Sequence, residues 1–148
     1  MIDSKAVGRT SAPTLHEVER GAIRRFAESI GDLNPIYFDA EHARASGFKA
    51  IAAPPAFPIC FSAGADYREL LGVHGKNLIL AEFTIEYDRA IVAGDKLLVS
   101  CRVTDFSERP SAAGRVEVAV IEEEGRDENG QIVYRARRTF IVRTTREV

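Results

Sequence analysis

Asp32, Asn34 and Tyr37 place a carboxylate, an amide and a phenol within one short stretch, Gly31-Asp32-Leu33-Asn34-Pro35-Ile36-Tyr37, with Asp39 just beyond it. A carboxylate can orient a water molecule or accept a proton, and an amide can steady the turn that presents it. A phenol with an ordinary pKa near 10 donates hydrogen bonds at neutral pH and is a poor base there, unlike an imidazole near 6.5. Taken alone, Asp32 and Asn34 read as cap-and-turn residues bonded to nearby backbone. Tyr37 alone reads as a core aromatic with its hydroxyl satisfied. His16, His42 and His74 are isolated and read as surface or strand-end residues, His42 being the one nearest the turn in sequence. Cys60 and Cys101 belong to no CxxC or Cys/His cluster, so buried thiols are expected rather than a disulfide or a metal site.

The elements that must position the turn follow from periodicity. Ile23, Phe26, Ala27 and Ile30 form one apolar stripe, opposite Arg20, Arg24, Arg25 and Glu28, which predicts a helix near 19–30. Gly31 supplies a left-handed stop, and Pro35 pushes Asn34 out of the helical region. A short helical piece is expected near 39–46, ending at Gly47. The run Ala53-Pro54-Pro55-Ala56-Phe57-Pro58 opens the next unit, since Pro58 suits a first helical turn. A slender helix is expected from there to about Leu71, with Phe57, Cys60, Phe61 and Ala65 on one face and the small residues Ser62, Ala63 and Gly64 beside them.

After Gly75 the period becomes that of strands. Phe83, Ile85 and Tyr87 alternate with polar residues, as do Leu97, Val99, Cys101 and Val103, and then Val116, Val118 and Val120. Turns are expected at Ala93-Gly94-Asp95, Ser111 to Gly114, and Asp127-Glu128-Asn129-Gly130. A last strand over about 131–143 alternates less cleanly because Arg138 interrupts it. Three or four long antiparallel strands after a central helix argue for an α+β fold in which a sheet curls around one helix, the hotdog pattern.

With 148 residues and no repeat or linker, a single domain over 1–148 is expected. A net charge of -2 gives no electrostatic footprint for nucleic acid or an anionic membrane. No apolar run is long enough to span a bilayer, and the polar start of the chain reads as a cytoplasmic N-terminus. Arg135, Arg137 and Arg138 form a basic cluster on the last strand, read as a solvated or partner-facing surface, with phosphates of coenzyme A or of an acyl carrier as the alternative.

Three motifs in order resemble the MaoC-like hydratase and dehydratase family, over about 9–143. They are the Gly31-Asp32-Leu33-Asn34-Pro35 turn with Asp39, the Ala53 to Pro58 run, and Glu86-Tyr87-Asp88-Arg89 followed by Ala93-Gly94-Asp95. The chain is most similar to the N-terminal-type MaoC dehydratase domain, the non-catalytic subunit of two-chain 3-hydroxyacyl-thioester dehydratases. The resemblance implies a hotdog fold, addition or removal of water on acyl-CoA or acyl-carrier-protein thioesters, and no cofactor. It places Asp32 at the family's catalytic Asp, Asn34 at the supporting amide and Tyr37 at the catalytic His. Pro55, Ala56, Phe57 and Phe61 fall where the substrate's acyl thioester is received. Two departures stand out: Tyr37 replaces the base, and Pro54-Pro55 replaces the His-Gly that offers a backbone N–H to the thioester oxygen.

The resemblance therefore implies a dehydratase or hydratase subunit that shapes the acyl tunnel while a second hotdog chain supplies the Asp/His dyad. Two alternatives stay open. One is an autonomous homodimeric (R)-specific enoyl-CoA hydratase using Asp32 with Tyr37 or His42. The other is a non-enzymatic acyl-thioester binding module.

Overall fold

In the computed structural model, which describes residues 1–61, 66–74, 78–112 and 114–145, five strands form one antiparallel sheet in the order β1-β3-β4-β5-β2. They are β1 (Thr14–Glu17), β2 (Leu78–Tyr87), β3 (Lys96–Ser111), β4 (Gly114–Arg126) and β5 (Ile132–Thr145). The helices are α1 (Arg20–Ser29), α2 (Ala40–Ala45) and α3 (Tyr67–Leu71), with 3-10 turns at Ser4–Ala6, Pro35–Tyr37 and Phe57–Cys60. One core joins Ile23 and Ala27 of α1, Phe57 and Phe61, Leu70 and Leu71 of α3, and the inward residues Leu97, Val99, Val103, Ala119, Ile121 and Phe140 of the sheet. The architecture is the expected α+β hotdog.

Several local expectations hold. The α1 stripe buries Ile23 and Ala27, and Gly31 closes the helix at φ +70°, where a side chain would be strained. Asp39 caps α2, its Oδ1 accepting from the Glu41 and His42 amides at 2.8 and 2.9 Å. The hairpin at Asp127 to Gly130 joins β4 to β5.

Others are corrected. Ile30, at the end of the stripe, is half exposed, because α1 ends at Ser29 and the chain turns away. The helix expected from Pro58 to Leu71 is not continuous: the 3-10 turn ends at Cys60, Phe61 is extended at φ -77°, ψ 126°, and α3 begins at Tyr67. Ser62, Ala63, Gly64 and Ala65 lie outside the described residues. Cys60 does not share the buried face of Phe57 and Phe61; it is exposed, while Cys101 is buried and both thiols are free. Strand β1 went unexpected. It is four residues long, and its pattern is inverted, with Thr14 and His16 half-buried and Leu15 exposed.

The largest correction concerns the basic cluster. Arg135 and Arg137 are exposed, but Arg138 is 2% exposed and points into the core, paired with Glu123. The strand does alternate cleanly; a buried ion pair occupies two of its inward places with β4. No helix among the described residues is long and apolar enough to cross a membrane.

Candidate functional site

The turn after α1 is built by backbone first. The Gly31 amide donates to the Glu28 carbonyl at 3.1 Å and the Asp32 amide to the Ala27 carbonyl at 3.0 Å, closing the helix. Asp32 Oδ1 then accepts from the Asn34 amide, and Asn34 Oδ1 from the Ile36 amide, both at 3.2 Å. Pro35 occupies the first position of the 3-10 turn that carries Tyr37 inward, and the Tyr37 amide returns to the Asn34 carbonyl at 3.0 Å. Each polar side chain thus spends one oxygen on holding the turn.

What remains is a contact between Asp32 and Tyr37. Tyr37 is buried, whereas Asp32 is half-buried and Asn34 exposed. The Tyr37 phenol is pushed above its ordinary pKa, first by burial, then by the negative charge of Asp32 and by the hydrogen bond between their side chains. A phenol in that setting stays protonated at neutral pH. The pair can hold a hydrogen-bonded partner; Tyr37 cannot draw a proton from water as an imidazole would.

The Pro-rich segment is tied to this turn. The Ala52 amide donates to the Ile36 carbonyl at 3.0 Å, and the Ala53 amide to the Ile91 carbonyl at 2.8 Å. Pro55 and Ala56 are exposed. Neither proline has an N–H, and the Phe57 amide is used by the Pro54 carbonyl at 2.9 Å. The Tyr87 hydroxyl donates to the Pro55 carbonyl from the end of β2. Phe57 and Phe61 are 4% and 5% exposed, packed edge to face with centroids 5.5 Å apart, and Phe57 meets Phe26 at 5.6 Å. Pro55 and Ala56 therefore lie at the surface beside the turn, while Phe57 and Phe61 serve the core of this chain.

His42 is exposed on α2, and His16 of β1 stacks on Phe61 with centroids 4.8 Å apart. Among the described residues, no three His, Cys, Asp or Glu side chains are placed to hold a metal ion. Beneath the Pro-rich segment, Glu123 and Arg138 meet Tyr67 and Tyr134, a cluster that sequence reading missed. Strand parity was the available signal. Glu123 lies opposite Cys101 and Ala136, and Arg138 opposite Ile121 and Phe83, all on the inward face.

The outer face of the sheet carries a groove of about 840 Å³ lined by Ser100, Arg102, Glu122, Glu124, Arg135 and Arg137. Cross-strand register sets Arg102 beside Glu122 and Glu122 beside Arg137, and likewise Glu124 between Ser100 and Arg135. Alternating charges on neighbouring strands support one another, which accounts for the exposed arginines as a surface ladder.

Comparison with known proteins agrees with the fold. The profile of the family described as "FAS1-like, dehydratase domain region" matches residues 5–136. A UPF0336 protein of Streptomyces griseus subsp. griseus is 35% identical over 151 residues, covering 99% of this chain and 98% of that protein. A solved MaoC-like dehydratase superposes with a TM-score of 0.80 at 26% identity, over 94% of this chain and 42% of that one, so this chain spans less than half the length of that protein. The truncated HadBC (3R-hydroxyacyl-ACP dehydratase) complex from Mycobacterium tuberculosis superposes with a TM-score of 0.74 at 20% identity, over 92% of this chain and 96% of that one, a likeness of fold. On the family match and the full-length relative together, the chain belongs to the FAS1-like dehydratase-region family, with the hotdog fold of a MaoC-like dehydratase.

Proposed function

We propose that this chain is one subunit of a 3-hydroxyacyl-thioester dehydratase, equivalently an enoyl-thioester hydratase. It acts in the cytoplasm on acyl-CoA or acyl-carrier-protein thioesters, beside a second hotdog chain. The single observation that carries this reading is Tyr37: a buried phenol, kept protonated beside Asp32, at the position that the resemblance assigns to the catalytic base. Hydration of an enoyl thioester requires a base for the water, an acid for the α-carbon and donors for the enolate oxygen. Asp32 and Asn34 keep the turn in shape, the partner provides the Asp/His dyad, and Pro55, Ala56 and the Phe57–Phe61 packing form a wall of the acyl site.

The partner has a place to dock. Strand β2 ends the sheet order, so one of its edges is unpaired by β5. Ile79 and Tyr87 are 45% and 37% exposed along it. A ten-residue edge with apolar side chains, left without a strand partner among the described residues, is a template for strand pairing. The HadBC complex, which shares this fold, pairs two chains.

The test is an assay of the purified chain against crotonyl-CoA and longer enoyl-CoA thioesters, alone and mixed with a hotdog chain bearing an intact Asp-x-Asn-Pro-x-His turn. Turnover is expected only in the mixture. Robust turnover by this chain alone, abolished by Asp32→Asn, would show an autonomous enzyme. Acyl-CoA binding with no turnover in either case would show a binding module.

A further inference from the structure

The Pro-rich segment rests on an ionic cluster that the hydration chemistry does not itself require. Arg138 donates from Nε to Glu123 Oε2 at 2.9 Å and from Nη2 to Glu123 Oε1 at 3.3 Å. The same Nη2 donates to the Pro58 carbonyl at 2.9 Å and to the Phe61 carbonyl at 3.3 Å. The Tyr67 and Tyr134 hydroxyls each donate to one oxygen of Glu123 at 2.9 Å. The guanidinium also lies over the Phe83 ring, 4.3 Å from its centroid, and 5.2 Å from that of Tyr67.

A buried ion pair is a weak way to stabilise a core, since apolar residues of similar volume serve as well or better. What an arginine adds is direction. Its planar fork can hold a carboxylate and reach other acceptors at once, which a lysine ammonium does not reproduce. Here the other acceptors are the carbonyls at the two ends of the turn that carries exposed Ile59 and Cys60. The Pro58 carbonyl also takes the Phe61 amide at 3.0 Å, so the helical turn closes there and Phe61 continues in extended form. With the Tyr87 hydroxyl on the Pro55 carbonyl, three backbone oxygens of residues 55–61 are gripped by side chains of the sheet.

We infer that Arg138 is a positioning residue of the acyl-thioester site, fixing the Pro54 to Phe61 segment through the Pro58 and Phe61 carbonyls while Glu123 orients its guanidinium. The inference rests on the reading of that segment as a wall of the acyl site. Tyr67 and Tyr134 complete the carboxylate's hydrogen bonding, so Glu123 is held from two sides and Arg138 is directed at the segment. The clamp sets where Pro55, Ala56 and Ile59 lie at the surface, and so the shape met by a thioester.

Two variants test it: Arg138→Lys, and Arg138→Met combined with Glu123→Gln, which avoids burying a lone carboxylate. Val99→Ala, a cavity in the core of β3 that leaves the clamp's own hydrogen bonds in place, serves as a control for general destabilisation. Amide exchange is followed at Phe57, Ile59 and Phe61, and octanoyl-CoA binding is measured by calorimetry, for the chain alone and with its hotdog partner. Both clamp variants are expected to speed exchange at these three amides about tenfold relative to the Ile23 amide. They are expected to weaken octanoyl-CoA binding about tenfold, with Arg138→Lys the milder, while Val99→Ala changes neither. Unchanged exchange at the three amides in both variants overturns the clamp. Faster exchange with undiminished octanoyl-CoA binding overturns its role in the site. A wild-type chain that binds no octanoyl-CoA in either setting, yet shows the exchange effect in its variants, defeats the functional reading and leaves the clamp standing.

Discussion

The Tyr134 ring lies across the backbone of Gly125, its partner in register on β4, so closely that a Cβ at 125 would sit 2.2 Å from Cε1 and 2.7 Å from Cδ1. Glycine weakens a strand interior unless something comes close to it, and here the close neighbour is an aromatic ring. The missing side chain is what lets the ring lie down and its hydroxyl reach Glu123 Oε1 at 2.9 Å.

Gly125→Ala should therefore force the ring out and cost about 1–3 kcal/mol, the usual range for overpacking a core. Tyr134→Phe keeps the ring and removes one hydrogen bond to a buried carboxylate, for about 1–3 kcal/mol. If the two losses share one cause, urea unfolding of the double variant will show less than their sum. Full additivity would mean that the ring and the hydroxyl act independently.

The same phenols make an alkaline limit. Burial first, then the charge of Glu123, raises the Tyr134 phenol well above its ordinary value, and burial likewise raises Tyr67 and Tyr87. A raised folded pKa means that the unfolded chain loses the proton first as pH rises. The stabilisation is complete below the unfolded value near 10 and is lost as pH climbs from there towards the folded values. Unfolding free energy should be level with respect to these groups between about pH 7 and 9, and then fall. Tyr134→Phe should shallow that fall, as read by urea titrations at successive pH values. An equally steep fall in the variant would exclude Tyr134 as a source.

Asp32 and Tyr37 offer a test inside the candidate site. The charge of Asp32 is the second cause of the raised Tyr37 phenol, after burial. Asp32→Asn should bring the phenol part of the way back to its ordinary value, leaving the share due to burial, and a phenolate titration of Tyr37 by NMR would record it. With the partner chain supplying the base, Tyr37→Phe should leave turnover of the mixture within about twofold, less than the 10²–10⁴-fold that a general base contributes. A loss of that larger size would place Tyr37 in the chemistry.

How much of this was legible beforehand depended on range. The α1 stripe, the Gly31 stop, the Asp39 cap and the hairpin at Asp127 to Gly130 are local, and their residue types announce them. The turn holding Asp32 and Asn34 is local too. What was missed is long-range. Arg138 looked like surface because arginine is seldom buried alone, and its partner Glu123 lies on another strand, brought opposite the same inward face by register. At the break the Phe61 carbonyl meets that same guanidinium, a long-range contact that a sequence whose prolines and small residues suit a helix did not reveal. Leu15, exposed in β1, inverted the pattern by which a strand is recognised.

The free edge of β2 gives the last expectation. Ala81 sits at the register shift between Leu80 and Glu82, so the ladder to β5 is irregular there, and Ile79 just before it is 45% exposed. A lysine on an edge strand discourages strand pairing, because its charge would have to be desolvated at the seam. Ile79→Lys should leave the fold of the isolated chain intact, since the side chain contributes little to this chain's own core. It should weaken association with a second hotdog, or with another copy of this chain, by about tenfold or more in dissociation constant. Sedimentation of wild type and variant over a range of concentrations measures it. If the variant associates as wild type does, the partner lies elsewhere and the β2 edge is not the seam.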